Sequence, residues 1–426
     1  MRIRVEGGHP INGHYQLAGN NNAAIALLAA SLLTDAPTTL RNMPNTATAQ
    51  EMLTIACRLG AQFTITGDHM LQVQTKQVTR RMLSHEETGG MVGALLFLAP
   101  ILIRRQYVRL EMDFPLNRIR THIEALRSLG LDVITSHGAL EVRAATWDYK
   151  DIILTNSSVT ATAMVMMLSA CFGKETVVHN AASEPHVQEL ANMLEMMGAQ
   201  VHGVGSNMLR IFGKEILTGV DITIGPDHIE AASIAAIGAM CGGRIQINGI
   251  RKSDMRIIDR IYQRLGINLD MDDTFMFIPK HEELTVSNRE EDVDASFETA
   301  PWPGLPSDLV AIATVIATQA RGTSLIHEKL FNNRLLFVDK LKSMGAQIVL
   351  CDPHRAIVVG PTPLYSIYLD TPDVRTGLGM LGAALVAKGE TVIDNAQAFG
   401  RNFDSVAEKL QNIGAKITIQ QVKADV

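Results

Sequence analysis

The stretch RLGAQFTI at residues 58–65 closes an apolar helical run on a glycine and opens a β-rich run straight after it. Five more stretches do the same: SLGLDVIT at 128–135, MMGAQVHG at 196–203, RLGINLDM at 264–271, SMGAQIVL at 343–350 and NIGAKITI at 412–419. Their glycines, Gly60, Gly130, Gly198, Gly266, Gly345 and Gly414, stand about 70 residues apart at nearly every step, so one structural unit is used six times. A glycine at such a junction predicts a left-handed helix cap, where a β-carbon would clash.

Each repeat also carries an earlier helical run rich in small apolar residues, at 23–33, 89–98, 159–171, 229–241, 309–318 and 378–387. A short run follows each one: TTLRN, YVRLE, TVVHN, RIQIN, TSLIH or TVIDN. Their apolar–polar alternation predicts strands with one buried face. A loop and a second helix then lead to the glycine. The expected class is α/β. Three repeats per domain place a boundary near 220–230, where Gly225-Pro226 reads as a turn. Asp227, with Glu230 three residues on, reads as a capping-box variant. Paired with AGNNNAAI at 18–25 as a second crossover, this gives one lobe at 22–226 and another made of 1–21 plus 227–426.

The composition sets bounds on function. A length of 426 residues suits two domains, and 46 % apolar content with 5 % aromatics suits a core of Ala, Ile, Leu, Val and Met under closely packed helices. A net charge of −6 argues against a nucleic-acid surface, and no run of like charges marks a membrane patch. The longest apolar stretch, 91–103, is too short for a bilayer and carries Gly and Pro. The opening MRIRVEGGHP lacks the apolar core of a signal peptide. The four cysteines form no CxxC pair, and Cys57, Cys171 and Cys241 lie in or beside Ala- and Met-rich helical runs, so buried, reduced thiols and no metal site are expected. A cytoplasmic location follows.

The loops between strand and second helix differ while the framework repeats, and sites are usually built on such loops. Four of the six carry arginine: Arg118 and Arg120, Arg251 and Arg256, Arg334, and Arg401. Guanidinium forks in equivalent loops suit an anionic ligand. The plainer alternative is that they cap helix ends or pair with surface carboxylates.

Several longer motifs point to a family. ETAPWPGLPSDL at 298–309, LFNNR at 330–334, DVRTG at 373–377, FGRNFDSVAEKLQNIGA at 399–415 and NAASEPHVQELANML at 180–194 together resemble the motif set of the enolpyruvyl transferases, over the whole chain. The resemblance implies a fold of two lobes, an inside-out α/β barrel in which each lobe holds three βαβαββ-type repeats. It also implies transfer of the enolpyruvyl group from phosphoenolpyruvate to a hydroxyl of UDP-N-acetylglucosamine or a related nucleotide sugar, for the peptidoglycan of the cell wall. Both partners are small molecules, no metal or organic cofactor is used, nucleic acid and membrane play no part, and oligomeric state stays open. In such enzymes the lobes close around the sugar nucleotide.

By its match to the family motifs, Asp308 is the carboxylate beside the reacting hydroxyl, a general base; a helix N-cap is the structural alternative. Arg334 and Arg401 match arginines near the phosphate and carboxylate of phosphoenolpyruvate, with Arg401 counted beside Asp308 as catalytic. Asp373 and Arg375 match a lobe-closing pair, for which a plain salt bridge is the alternative. Asn22 matches an asparagine that touches the sugar nucleotide, and Ser158, Val159 and Thr160 match the segment that holds its diphosphate at a helix start. Arg118 and Arg120 compete for the place of the family's loop arginine.

Departures from the pattern matter as much. Asn21 stands where the family has a lysine, and Val92 falls near a family arginine. The loop MDFPLNRIRTH is short and lacks the family cysteine, although Asp113 lies nearby. Each lost charge-assisted bond is worth roughly 1.5–3 kcal/mol, so two of them amount to about 10²–10⁴ in rate. Lys252, Lys329 and Arg251 are the cations in equivalent loops that could compensate. Alternatives to the standard reaction are an enzyme of this fold with another acceptor or donor, and a non-catalytic nucleotide-sugar binder.

Overall fold

The computed structural model describes residues 1–136, 138–287, 295–370 and 376–421. Two compact units emerge: Met1–Ala18 with Pro226–Val426, and Gly19–Gly225. Gly19, Asn20 and Asn21 therefore group with the central segment, where Asn20 N donates to Gly225 O at 2.8 Å.

Among the described residues each unit contains three sheets; five of the six have four strands, and one, in the unit that includes Pro226–Val426, has five. The plainest repeat orders Trp147–Ile153, Gly173–His179, Met208–Phe212 and Gln200–His202 across its sheet. Its first two strands run parallel, which requires a crossover, here the helix Val159–Phe172. A second helix, Pro185–Met197, then leads to an antiparallel pair. Elsewhere the chain termini rearrange this plan. Asp221–Thr223 returns to lie parallel to Thr38–Arg41 and completes the first sheet of its unit. In the other unit, Arg2–Glu6 pairs with Glu390–Ile393 and Lys416–Gln420, while Gly13–Gln16 lies parallel to Ile245–Asn248. The first 18 residues thus supply strands to two sheets of the unit they share with Pro226–Val426.

The two helices of a repeat differ because their surroundings differ. Val159–Phe172 is buried at every position from Ala161 to Ala170, and His228–Met240 from His228 to Ala239. A helix covered on all sides has no use for a polar face, hence the small apolar sequences. Lys252–Arg264 instead buries Asp254, Met255, Ile258, Ile261 and Tyr262, one face at helical spacing.

All six repeat glycines have positive φ, from 83° to 112°. At Gly60 a β-carbon would stand 2.5 Å from Gln77 O, and at Gly266 only 2.4 Å from Thr285 N, so sterics and backbone conformation both demand glycine. Three expectations need correction. The run at 89–98 is a 3-10 turn, Val92–Phe97, followed by a helix Leu98–Arg105; Pro100 sits in that helix's first turn, where its missing N–H is harmless. Cys57 is exposed, because it falls on the outer side of an amphipathic helix, Ala47–Arg58. Cys171 and Cys241 keep some exposed residue surface, yet desolvation pushes both thiols up to about 12. Third, Asp227 does cap His228–Met240, but the Glu230 carboxylate is turned elsewhere and no reciprocal capping box forms.

Candidate active site

In the unit that ends the chain, Ser307–Leu309 is a 3-10 turn that feeds the helix Val310–Gln319, and it leaves the Asp308 carboxylate exposed. The helix cap is Leu309, with no side-chain bond, so Asp308 is not the N-cap. Its carboxylate meets Arg334 instead, with Nη1 donating to Oδ1 at 3.2 Å. Arg334 is 8 % exposed against 48 % for Asp308. The guanidinium lies over the Phe331 ring, 4.8 Å from its centre, and its Nε is buried without a hydrogen bond. A pre-formed cation is thereby fixed beside an accessible carboxylate, an arrangement that can orient an anion next to a proton acceptor. Arg401 is half-buried at the end of a separate 3-10 turn, Ala396–Arg401. Asp373 and Arg375 lie outside the described residues.

A buried polar cluster that the motifs did not single out occupies the same unit. Asp227 accepts from Ile229 N at 2.9 Å and Glu230 N at 3.0 Å. Burial, then the charges of Glu230 and Asp308, lifts its carboxyl to about 7. Glu230, fully buried, accepts from the Tyr15 hydroxyl at 2.6 Å and from Lys409 Nζ at 3.2 Å. Burial raises the Glu230 carboxyl against the opposing pull of Lys409, and burial followed by the Glu230 charge pushes the Tyr15 hydroxyl well up. The one signal in the sequence was the Asp227–Glu230 spacing, which fits a cap equally well.

In the unit Gly19–Gly225, Asn20 caps the helix Asn21–Ser31 by accepting from Ala23 N at 2.9 Å. Asn21, the first helical residue, is buried, and its Oδ1 accepts from the Thr46 hydroxyl at 2.5 Å; Asn22 beside it is exposed. Ser158 caps Val159–Phe172, accepting from Ala161 N at 3.3 Å. Thr160 Oγ1 lies 2.8 Å from His122 Nε2. Burial holds His122 down to about 4, so its ring is neutral. Ser158, Val159 and Thr160 are half-buried at the positive end of a 14-residue helix, which suits an anion.

The loop arginines divide. Arg120 Nε donates to Glu124 Oε1 at 2.6 Å one turn along its helix, whereas exposed Arg118 stacks on Phe114 at 5.1 Å. The compensating cations are engaged locally: Lys329 with Glu298, Arg251 Nη1 with Asp254 Oδ2 at 3.4 Å, and Lys252 Nζ with Met271 O at 3.1 Å. Among the described residues no group of His, Cys, Asp and Glu side chains could hold a metal ion, and no helix is long and apolar enough to cross a membrane.

The comparisons with known proteins agree with this architecture. The family model described as EPSP synthase (3-phosphoshikimate 1-carboxyvinyltransferase) matches residues 5–410. A UDP-N-acetylglucosamine 1-carboxyvinyltransferase of Treponema denticola is 37 % identical over 98 % of this chain and 99 % of its own. Another, from Borrelia garinii subsp. bavariensis, is 38 % identical over 97 % of each. Among solved structures, the enolpyruvyl transferase NikO from Streptomyces tendae superposes with a TM-score of 0.87 at 20 % identity, covering 98 % of both chains. An EPSP synthase from Acinetobacter baumannii gives 0.75 at 15 %, over 99 % of this chain and all of the other. The last two share the fold, and the family match and the full-length relatives settle the membership: this chain belongs to the enolpyruvyl transferases, enzymes that carry a carboxyvinyl group.

Proposed function

We propose that the protein transfers the enolpyruvyl group of phosphoenolpyruvate to a hydroxyl of UDP-N-acetylglucosamine in the cytoplasm, in the synthesis of peptidoglycan precursors. The observation that carries this reading is the exposed Asp308 carboxylate held against buried Arg334. Asp308 takes the proton of the sugar hydroxyl as its oxygen bonds to the central carbon of phosphoenolpyruvate, and the methylene carbon gains a proton. Elimination then expels phosphate together with a methyl proton, which restores the double bond on the sugar-bound group. Arg334 and Arg401 serve the phosphate and carboxylate of the donor. Ser158, Val159 and Thr160 serve the diphosphate of the acceptor, Asn22 its sugar nucleotide, and Arg118 and Arg120 remain the loop cations on offer. Asp373 and Arg375 are assigned to closure on the substrates.

A second reading, the same fold working on another donor or acceptor, is favoured by Asn21, which replaces the family lysine with a buried amide committed to Thr46. The deciding experiment is phosphate release from phosphoenolpyruvate plus UDP-N-acetylglucosamine, with D308A as the control. Release well above that control supports the first reading. Nucleotide-sugar binding, seen as thermal stabilisation, without release supports a binder or another donor.

A further inference from the structure

Just after the strand Ala320–His327, Glu328 is fully buried, and among the described residues no cation pairs with its carboxylate. Four donors converge on it. Oε1 accepts from the Thr299 hydroxyl at 2.9 Å, from Leu330 N at 2.7 Å and from Phe331 N at 3.1 Å; Oε2 accepts from the Ser307 hydroxyl at 2.5 Å. Lys329 N in turn donates to Thr299 Oγ1 at 2.9 Å.

These donors sit on the two segments that carry the Asp308–Arg334 pair. Ser307 immediately precedes Asp308, and Phe331 is the ring beneath the Arg334 guanidinium. One carboxylate oxygen therefore fixes the turn that presents Asp308, while the other fixes the loop that presents Arg334. A buried side-chain acceptor is tolerated only where donors are aimed at it, and here two amides and two hydroxyls supply them. Glutamine fits the space but changes the pattern, since its NH2 would force the Ser307 hydroxyl to turn from donor to acceptor.

We propose, building on the transferase reading above, that Glu328 is a positioning residue that sets the register of Asp308 against Arg334 and so governs turnover without touching substrate. Two variants separate this from general stabilisation. E328Q keeps volume and an acceptor for the Leu330 and Phe331 amides; E328A removes both. Each is assayed at a temperature where circular dichroism shows it folded.

The expected result is a fall in kcat of about 10–100-fold in E328Q, and more in E328A, because a small misplacement of reacting groups costs that much. KM for UDP-N-acetylglucosamine stays near the wild-type value. If kcat in both folded variants equals wild type, the proposal is overturned. Hydrogen exchange supplies a readout that does not need turnover. In E328A the Leu330 and Phe331 amides exchange faster, while those of Ala320–His327 hold. Unchanged exchange at Leu330 and Phe331 sinks the anchor itself. Should the wild type release no phosphate, the transferase reading fails, and exchange still decides whether Glu328 holds these two loops.

Discussion

Arg334 and Asp308 form an ion pair of unequal burial: a cation 8 % exposed donates to a carboxylate 48 % exposed at 3.2 Å. The inequality has a chemical use. A cation sunk against Phe331 keeps its orientation, while the carboxylate it steadies stays open to solvent, as the proposed role of proton acceptor requires.

D308N should therefore lose activity far more than stability. Removing the proton acceptor lowers kcat by about 10²–10⁴. The pair is half in solvent, so its loss costs on the order of 1 kcal/mol of unfolding free energy. Steady-state phosphate release and urea denaturation on the same sample measure both. A D308N enzyme with undiminished kcat removes Asp308 from the chemistry.

Asp227 gives the C-terminal unit a pH response of unusual sign. Its carboxyl rises from 3.8 to about 7 through burial and the neighbouring Glu230 and Asp308 charges. The folded state binds this proton more tightly than the unfolded chain. The stabilisation is complete below about pH 3.8 and is lost as pH climbs through 7. D227N keeps an N-cap acceptor but cannot ionise. Between pH 4 and 8 the variant should gain roughly 2–4 kcal/mol on wild type, read from urea midpoints. Parallel stability curves for the two proteins would show that Asp227 ionises in the folded unit without penalty.

His122 acts in the other unit with the opposite sign. Burial lowers it from 6.5 to about 4. The folded state rejects a proton that the unfolded chain accepts, so stability present above 6.5 drains away as pH falls toward 4. H122Q, which leaves a polar partner for Thr160, should flatten that acid slope by roughly 2–3 kcal/mol. Amide exchange along Arg120–Ser128 at pH 7 and pH 4.5 localises the effect. An acid slope identical in H122Q and wild type would place its origin in other groups.

The parts of the fold that were legible in the sequence are those fixed by local rules. A helix that must stop and reverse into a strand leaves a glycine of positive φ, and six such glycines at a steady period expose the six repeats. The helical run expected at 89–98 was placed too early: Val92–Phe97 is a 3-10 turn and the helix is Leu98–Arg105, with Pro100 tolerated in its first turn. The link between Asp308 and Arg334 was approachable because both lie in family motifs. The Tyr15–Glu230–Lys409 cluster was not, because it joins residues 215 and 179 positions apart. Its chemistry arises only from shared burial, which a local pattern does not encode. Glu328 stayed hidden for a related reason: its partners Thr299 and Ser307 lie 29 and 21 positions away.

The last prediction concerns Asn21. A lysine there must displace a buried amide, leave the Thr46 hydroxyl without its acceptor and set a cation at the positive end of the helix Asn21–Ser31. Each change opposes folding, and together they should cost about 1–3 kcal/mol, visible as a lower Tm. Against that, the proposed reaction offers the added cation an anion to bind, worth roughly 1.5–3 kcal/mol per charged bond. If the protein runs the proposed reaction, N21K lowers KM for phosphoenolpyruvate or raises kcat while Tm falls. A lower Tm with donor kinetics unchanged would mean that the position no longer addresses phosphoenolpyruvate, and the assignment of the donor would then have to be abandoned in favour of a different small anion.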